Sequence, residues 1–102
     1  MSEGKALRLI LGIQPSYQVK PQYPFNAQRR NLEGKVELEF MVGSDGRVKA
    51  SSIKVLAAEP ALIFEQAARR AVQNWRFPIK YQQQRSVSFI TRQLIEFNLH
   101  EQ

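Results

Sequence analysis

The chain has 102 residues, 43% of them hydrophobic and 10% aromatic, which suits one domain with a single modest core and excludes a disordered segment. It contains no cysteine, so a disulfide framework, a thiolate metal site and a cysteine nucleophile are all excluded. Fifteen Lys and Arg against nine Asp and Glu give a net charge of +6, but only Arg29-Arg30 and Arg69-Arg70 are adjacent, and no block of like charge marks a nucleic-acid surface.

Residues 6–13 read ALRLILGI. The run is far short of the ~20 apolar residues a membrane span needs, and it carries Arg8 and no small-residue cleavage site, so it is neither an anchor nor a signal peptide. Its leucines and isoleucines predict a short strand or an extended arm packed on the body. Met1-Ser2 a few residues ahead of it reads as the start of an expressed fragment, with any membrane anchor upstream. Residues 14–24 hold three prolines and two tyrosines. Pro21 and Pro24 bracket Gln22-Tyr23, fixing φ and removing donors, so this stretch is expected to be extended and to display Tyr23. A short helix is expected from Pro24 through FNAQRRN, ending before Gly34.

Gly34–Val42 is the clearest strand: Val36, Leu38, Phe40 and Val42 alternate with Lys35, Glu37, Glu39 and Met41. Gly43-Ser44-Asp45-Gly46 is a turn signal, and Val48, Ala50, Ile53 and Val55 continue as the second strand of a hairpin, with Ser51-Ser52 as its candidate bulge. The main helix is expected to open at Ala58-Glu59-Pro60, with Glu59 at its positive end. Phe64, Ala67 or Ala68, Ala71 and Trp75 then form one apolar stripe, and Phe77-Pro78 ends the helix. Residues 82–85 read as a loop. Residues 86–99 read as one long β-rich run with Ile95, Phe97 and Leu99 facing the core; its length predicts a bend near residues 91–93. The predicted fold is α+β: two helices on one face of a small, three- to four-stranded antiparallel sheet.

No catalytic constellation emerges. Glu37 and Glu39 lie on one strand face and read as solvated carboxylates balanced by neighbouring basic residues. His100 is the only histidine and has no metal-ligand partners in the sequence, so no catalytic residue, metal or cofactor is assigned. Trp75 beside Arg76 raises base stacking, but its place on the apolar stripe favours core packing. A binding module remains.

Several features in order resemble the C-terminal domain of TonB-type energy transducers: PQYP at residues 21–24, EGKVELEFMVGSDGRV at residues 33–48, and the helix segment ending in WRF at residues 75–77, followed by a terminal β-rich run. The resemblance covers residues 21–99. It divides the chain into an N-terminal extended arm or linker end at residues 1–19 and a TonB-like domain at residues 20–102. It implies a periplasmic domain of a protein anchored in the inner membrane of a Gram-negative bacterium. The implied partners are the ExbB–ExbD complex, met through a region upstream of this chain, and outer-membrane transporters for iron-siderophore, haem or vitamin uptake.

Such a domain would bind the transporter's TonB box as an added β-strand. Carried over residue by residue, the box-pairing strand is Arg92, Gln93, Leu94, Ile95, Glu96, Phe97 and Asn98, with outward Arg92, Leu94 and Glu96 tuning the contact. The second contact is Lys20, Pro21, Gln22, Tyr23 and Pro24, where Lys20 stands in place of the family's usual Gln. An exposed terminal strand offers unpaired N–H and C=O groups that an extended peptide can satisfy, which supports this mode independently. The same edge permits a homodimer by strand exchange. The rival readings are a TonB-like domain in TolA-type envelope maintenance or signalling and a basic nucleic-acid-binding module.

Overall fold

A computed structural model describes residues 7–101; the first six residues of the predicted arm and Gln102 lie outside the described residues. In chain order the elements are β1 (Arg8–Leu9), α1 (Phe25–Arg29), β2 (Gly34–Val42), β3 (Lys54–Glu59), α2 (Glu65–Val72), β4 (Lys80–Gln82), β5 (Arg85–Val87) and β6 (Phe89–Phe97), with 3-10 turns at Ala50–Ser52 and Leu99–Glu101. One sheet has the order β1-β6-β2-β3, and β4 and β5 form a separate hairpin. The architecture is the expected one, two helices on one face of a small sheet. The sheet is mixed, because β1 runs parallel to β6 while β6, β2 and β3 are antiparallel.

β2 is central, and its alternation places Val36, Leu38, Phe40 and Val42 in the core as predicted. Ala27 of α1, Phe64, and Ala68 and Val72 of α2 close over that face. The small side chains of Ala27 and Ala68 let both helices sit close to the sheet. α1 follows Pro24 and ends where Asn31 takes a left-handed φ of 55°, with the Leu32 N–H reaching back to the Ala27 carbonyl at 2.9 Å.

The predicted second strand departs from expectation in two ways. Val48 makes only an isolated bridge to Val42, and Ala50–Ser52 then leaves the ladder as a 3-10 turn. Ser52 is not a bulge. Its hydroxyl accepts the Met41 N–H at 2.8 Å and donates to the Lys49 carbonyl at 2.6 Å, standing in for the missing strand partner. The bulge lies further on: Glu37 pairs with Ala57 and Leu38 with Val55, which leaves Leu56 unpaired. This extra residue lets Val55 and Ala58, three apart, both pack on the core.

The main helix is shorter than predicted at both ends. β3 continues through Glu59, the Glu59–Pro60 peptide is cis, and α2 starts only at Glu65. Glu65 takes the role expected of Glu59. Its carboxylate accepts the Leu62 N–H at 2.7 Å, and hydrogen bonding to this and neighbouring backbone N–H groups holds its pKa below the ordinary 4.5. A depressed carboxylate pKa stabilises the fold above the unfolded value and loses that contribution as pH falls through the lower folded value. Glu65→Gln should therefore lower the urea midpoint at pH 7. The gap from the parent should close in titrations taken progressively below pH 4.5.

At its other end α2 stops at Val72, before the expected Phe77-Pro78 boundary. Trp75 and Phe77 are both buried, and this two-residue spacing requires extended rather than helical backbone. The Trp75 Nε1–H donates to the Val19 carbonyl at 2.9 Å, confirming core packing over base stacking. Arg76 between them bonds through its backbone to Ser16 and Tyr17, fastening the N-terminal segment to the body.

Residues 82–85, expected to be a loop, form the tight β4–β5 hairpin, with Gln83 and Gln84 both left-handed at φ 51° and 68°. The expected bend at residues 91–93 is absent. β6 pairs with β2 without interruption from Phe97↔Gly34 to Phe89↔Val42. The long C-terminal run is divided instead at Ser88, and it closes at Leu99, which is half-buried and whose N–H donates to the Glu33 carboxylate at 2.9 Å.

Candidate strand-addition edge

The two sides of β6 can be assigned from backbone hydrogen bonds. The Ile10 N–H donates to the Ile90 carbonyl at 2.8 Å, so Ile90 turns its backbone groups away from β2. Backbone direction alternates along a strand, and Arg92, Leu94 and Glu96 therefore present their N–H and C=O on that same outer side. β2 gives the same answer: Met41 bonds toward Lys49 and Ser52, so its even-numbered neighbours face β6, where the register sets Val36 against Ile95 and Leu38 against Gln93.

This geometry corrects the expectation of a wholly exposed terminal strand. β6 lies inside the sheet order, and β1 covers its first two residues through Arg8↔Phe89 and Leu9↔Ile90. From Arg92 onward, no strand among the described residues pairs with its outer side. The open edge thus presents three outward residues.

Each predicted residue has a definite place. Arg92 is exposed, and its Nε–H donates to the Glu39 carboxylate across the sheet at 2.9 Å, which accounts for Glu39 as one half of a surface ion pair. Leu94 is 55% exposed on the helix-free face, and Glu96 is exposed beside it. Ile95 and Phe97 are buried and belong to the core. Gln93 is half-buried and its amide donates to the Ile13 carbonyl at 3.2 Å, tying the N-terminal segment to the strand. Asn98 is half-buried beyond the strand end.

Residues 20–24 run past the other flank. Tyr23 is not displayed outward as expected. Its ring packs edge-on against Phe64 at 5.6 Å and Phe97 at 5.8 Å, and its hydroxyl donates to the Leu32 carbonyl. Burial, with a smaller contribution from Glu33, raises its pKa above the ordinary 10, so it remains a neutral donor. Lys20 and Gln22 are exposed, Pro21 and Pro24 half-buried. Together these residues line a groove of about 530 Å³ whose far wall is α2, including Gln66, Ala67 and Arg70. Tyr23 against Phe97 links the two predicted contacts, but the groove itself includes no residue of β6.

Residues 19–99 match the C-terminal domain of the Gram-negative bacterial TonB protein. The chain belongs to this family. TonB of Escherichia coli strain K12 is 41% identical over 58 residues, which are 57% of this chain and 23% of that protein. TonB of Klebsiella pneumoniae is 38% identical over 82 residues, 80% of this chain and 31% of that one. The chain thus spans about a fifth to a third of the curated TonB proteins it matches. The solution structure of the Pseudomonas aeruginosa TonB C-terminal domain superposes with a TM-score of 0.71 at 31% identity, covering 88% of this chain and 89% of that one. A TonB2 protein of Vibrio anguillarum superposes less closely, with a TM-score of 0.56 at 27% identity, over 96% and 89% of the two chains. The TonB C-terminal family is not enzymatic.

Proposed function

We propose that this domain is the periplasmic receptor-binding end of a TonB-type energy transducer, and that it captures the TonB box of outer-membrane transporters by β-strand addition to β6. The observation that carries this reading is the row of outward backbone groups at Arg92, Leu94 and Glu96, which no described strand pairs. An extended peptide would satisfy those groups, each hydrogen bond contributing about 0.5–1.5 kcal/mol net. Main-chain pairing makes little demand on peptide sequence, which suits one transducer serving several transporters. Exposed Leu94, with the Arg92–Glu39 pair and Glu96 around it, would supply the side-chain preference. Coupling to an ExbB–ExbD complex, through a membrane-anchored region outside these 102 residues, belongs to the same proposal. So does siderophore, haem or vitamin uptake as the work performed.

The test is amide-shift mapping with a TonB-box peptide on the parent chain and two proline variants. Leu94→Pro deletes an outward N–H that the fold does not use, so the domain should stay folded and lose most of its peptide binding. Ile95→Pro deletes an N–H directed at β2 and should unfold the sheet. Shifts that avoid both residues 92–98 and residues 20–24 would sink strand addition, as would undiminished binding by folded Leu94→Pro.

A further inference from the structure

The open edge of β6 has a resident neighbour from the same chain. β1 pairs in parallel on the side of β6 that strand addition would use, at Phe89 and Ile90, and the Ile10 N–H completes the contact. We propose that this N-terminal arm is an intramolecular competitor for the incoming strand, holding the first part of the edge until a peptide displaces it. This inference rests on the strand-addition reading and adds a form of regulation to it.

The arm is held lightly at one end and firmly at the other. Its strand has only two register pairs, and most of its side chains bury little: Leu9 is 45% and Leu11 62% exposed. Of residues 8–11 only Ile10, half-buried, packs against the core. Such a short pairing gains few hydrogen bonds against the entropy of ordering the arm, so it can open with the loss of one half-buried core contact, that of Ile10. At the other end, Ile13 packs on the core and accepts the Gln93 amide, and Ser16 and Tyr17 are fastened to Arg76. Gly12 lies between the two regions, at φ 74° and with open space where a side chain would stand, and it lets the chain turn off the edge. The arm can therefore peel from β6 while remaining attached at residues 13–17.

Peeling has a defined effect. It releases the Ile90 backbone, extending the outward row from Arg92, Leu94 and Glu96 to include Ile90. A longer incoming strand gains that extra pairing only by evicting the arm. The apparent affinity is then reduced by the fraction of molecules in which the arm is seated.

A cross-link tests this in the full chain. The sequence has no cysteine, and Leu9 and Ile90 are Cα partners, so the double variant Leu9→Cys with Ile90→Cys forms one designed bridge. With a TonB-box peptide as probe, the oxidised form should bind about tenfold more weakly than the same molecule after reduction. In the opposite direction, Ile10→Pro removes the N–H that bonds Ile90 and should tighten binding about threefold relative to Ile10→Ala, which keeps that donor. Equal affinity of oxidised and reduced forms, with peptide shifts still on residues 92–97, would make the arm a bystander and overturn the inference. Absence of β6 shifts in every form, including the reduced and Ile10→Pro chains, would overturn the strand-addition reading beneath it.

Discussion

Gly34→Ala should destabilise the domain by about 3 kcal/mol, at the upper end of what overpacking usually costs. The added Cβ would stand 2.3 Å from the Glu59 carbonyl oxygen and 2.7 Å from Cε2 of Phe64, both inside the distance real Cβ atoms keep. Neither neighbour can retreat freely. Glu59 is fixed in the β2–β3 ladder opposite Lys35, and the Phe64 ring is stacked on Phe97 with a centroid separation of 4.4 Å. Glycine is required here by space rather than by a left-handed backbone. Urea unfolding read by tryptophan fluorescence measures the loss, since Trp75 is the single tryptophan and is buried. A loss below about 0.5 kcal/mol, the range of neutral surface changes, would mean that the start of β2 shifts easily.

Phe64→Ala should cost still more, about 3–5 kcal/mol, against a total of about 5–15 kcal/mol for a domain of this kind. Phe64 is fully buried between the Phe97 face and the Tyr23 edge, so its removal opens a cavity under the start of α2. Phe25→Ala supplies the contrast. That ring is 70% exposed and meets Arg29 at its surface, so its loss should change stability by no more than about 0.5 kcal/mol. The two large effects are also coupled. In a Phe64→Ala background, one of the two obstacles to a Cβ at residue 34 is gone, so Gly34→Ala should cost less there than in the parent. Strict additivity would argue that the Glu59 carbonyl alone sets the penalty.

What could be read from the sequence was whatever rested on a local period. The alternation of β2 identified the clearest strand and its buried face residue by residue. The spacing of Phe64, Ala67 or Ala68, and Ala71 identified the buried side of α2, where the structure buries Ala68 rather than Ala67. What could not be read depended on partners distant in the chain. Trp75 and Phe77 share the core because the backbone straightens to receive Val19, Tyr17 and Gly46, none of which a helical window contains. Ser52 replaces a ladder partner of Met41 eleven residues away, which looks locally like a bulge. The Gln83-Gln84 hairpin lacks the Asn or Gly that usually marks its turn.

The candidate site divides in the same way. The resemblance selected the strand at residues 92–98, and the reading of its side chains already set Arg92, Leu94 and Glu96 outward. Which residues turn their backbone N–H and C=O to the open edge, however, follows only from the register with β2 and the contact of Ile10 with Ile90. That parity decides which proline tests binding and which tests folding. The seating of the arm on β6 was equally out of reach, because residues 6–13 predict an extended segment without saying what it lies against.

The register joining Gly34 to Phe97 also has a consequence for how the chain reaches this state. β2 and β3 are separated by a short connection and can pair early, whereas the other side of β2 waits for nearly the whole domain to follow it. Contacts of such high sequence separation form late and slow the folding of sheet proteins. During synthesis β2 would therefore carry an open side of its own until β6 emerges. The N-terminal arm acquires its place only after that, because the strand it lies on is made after all the other described strands.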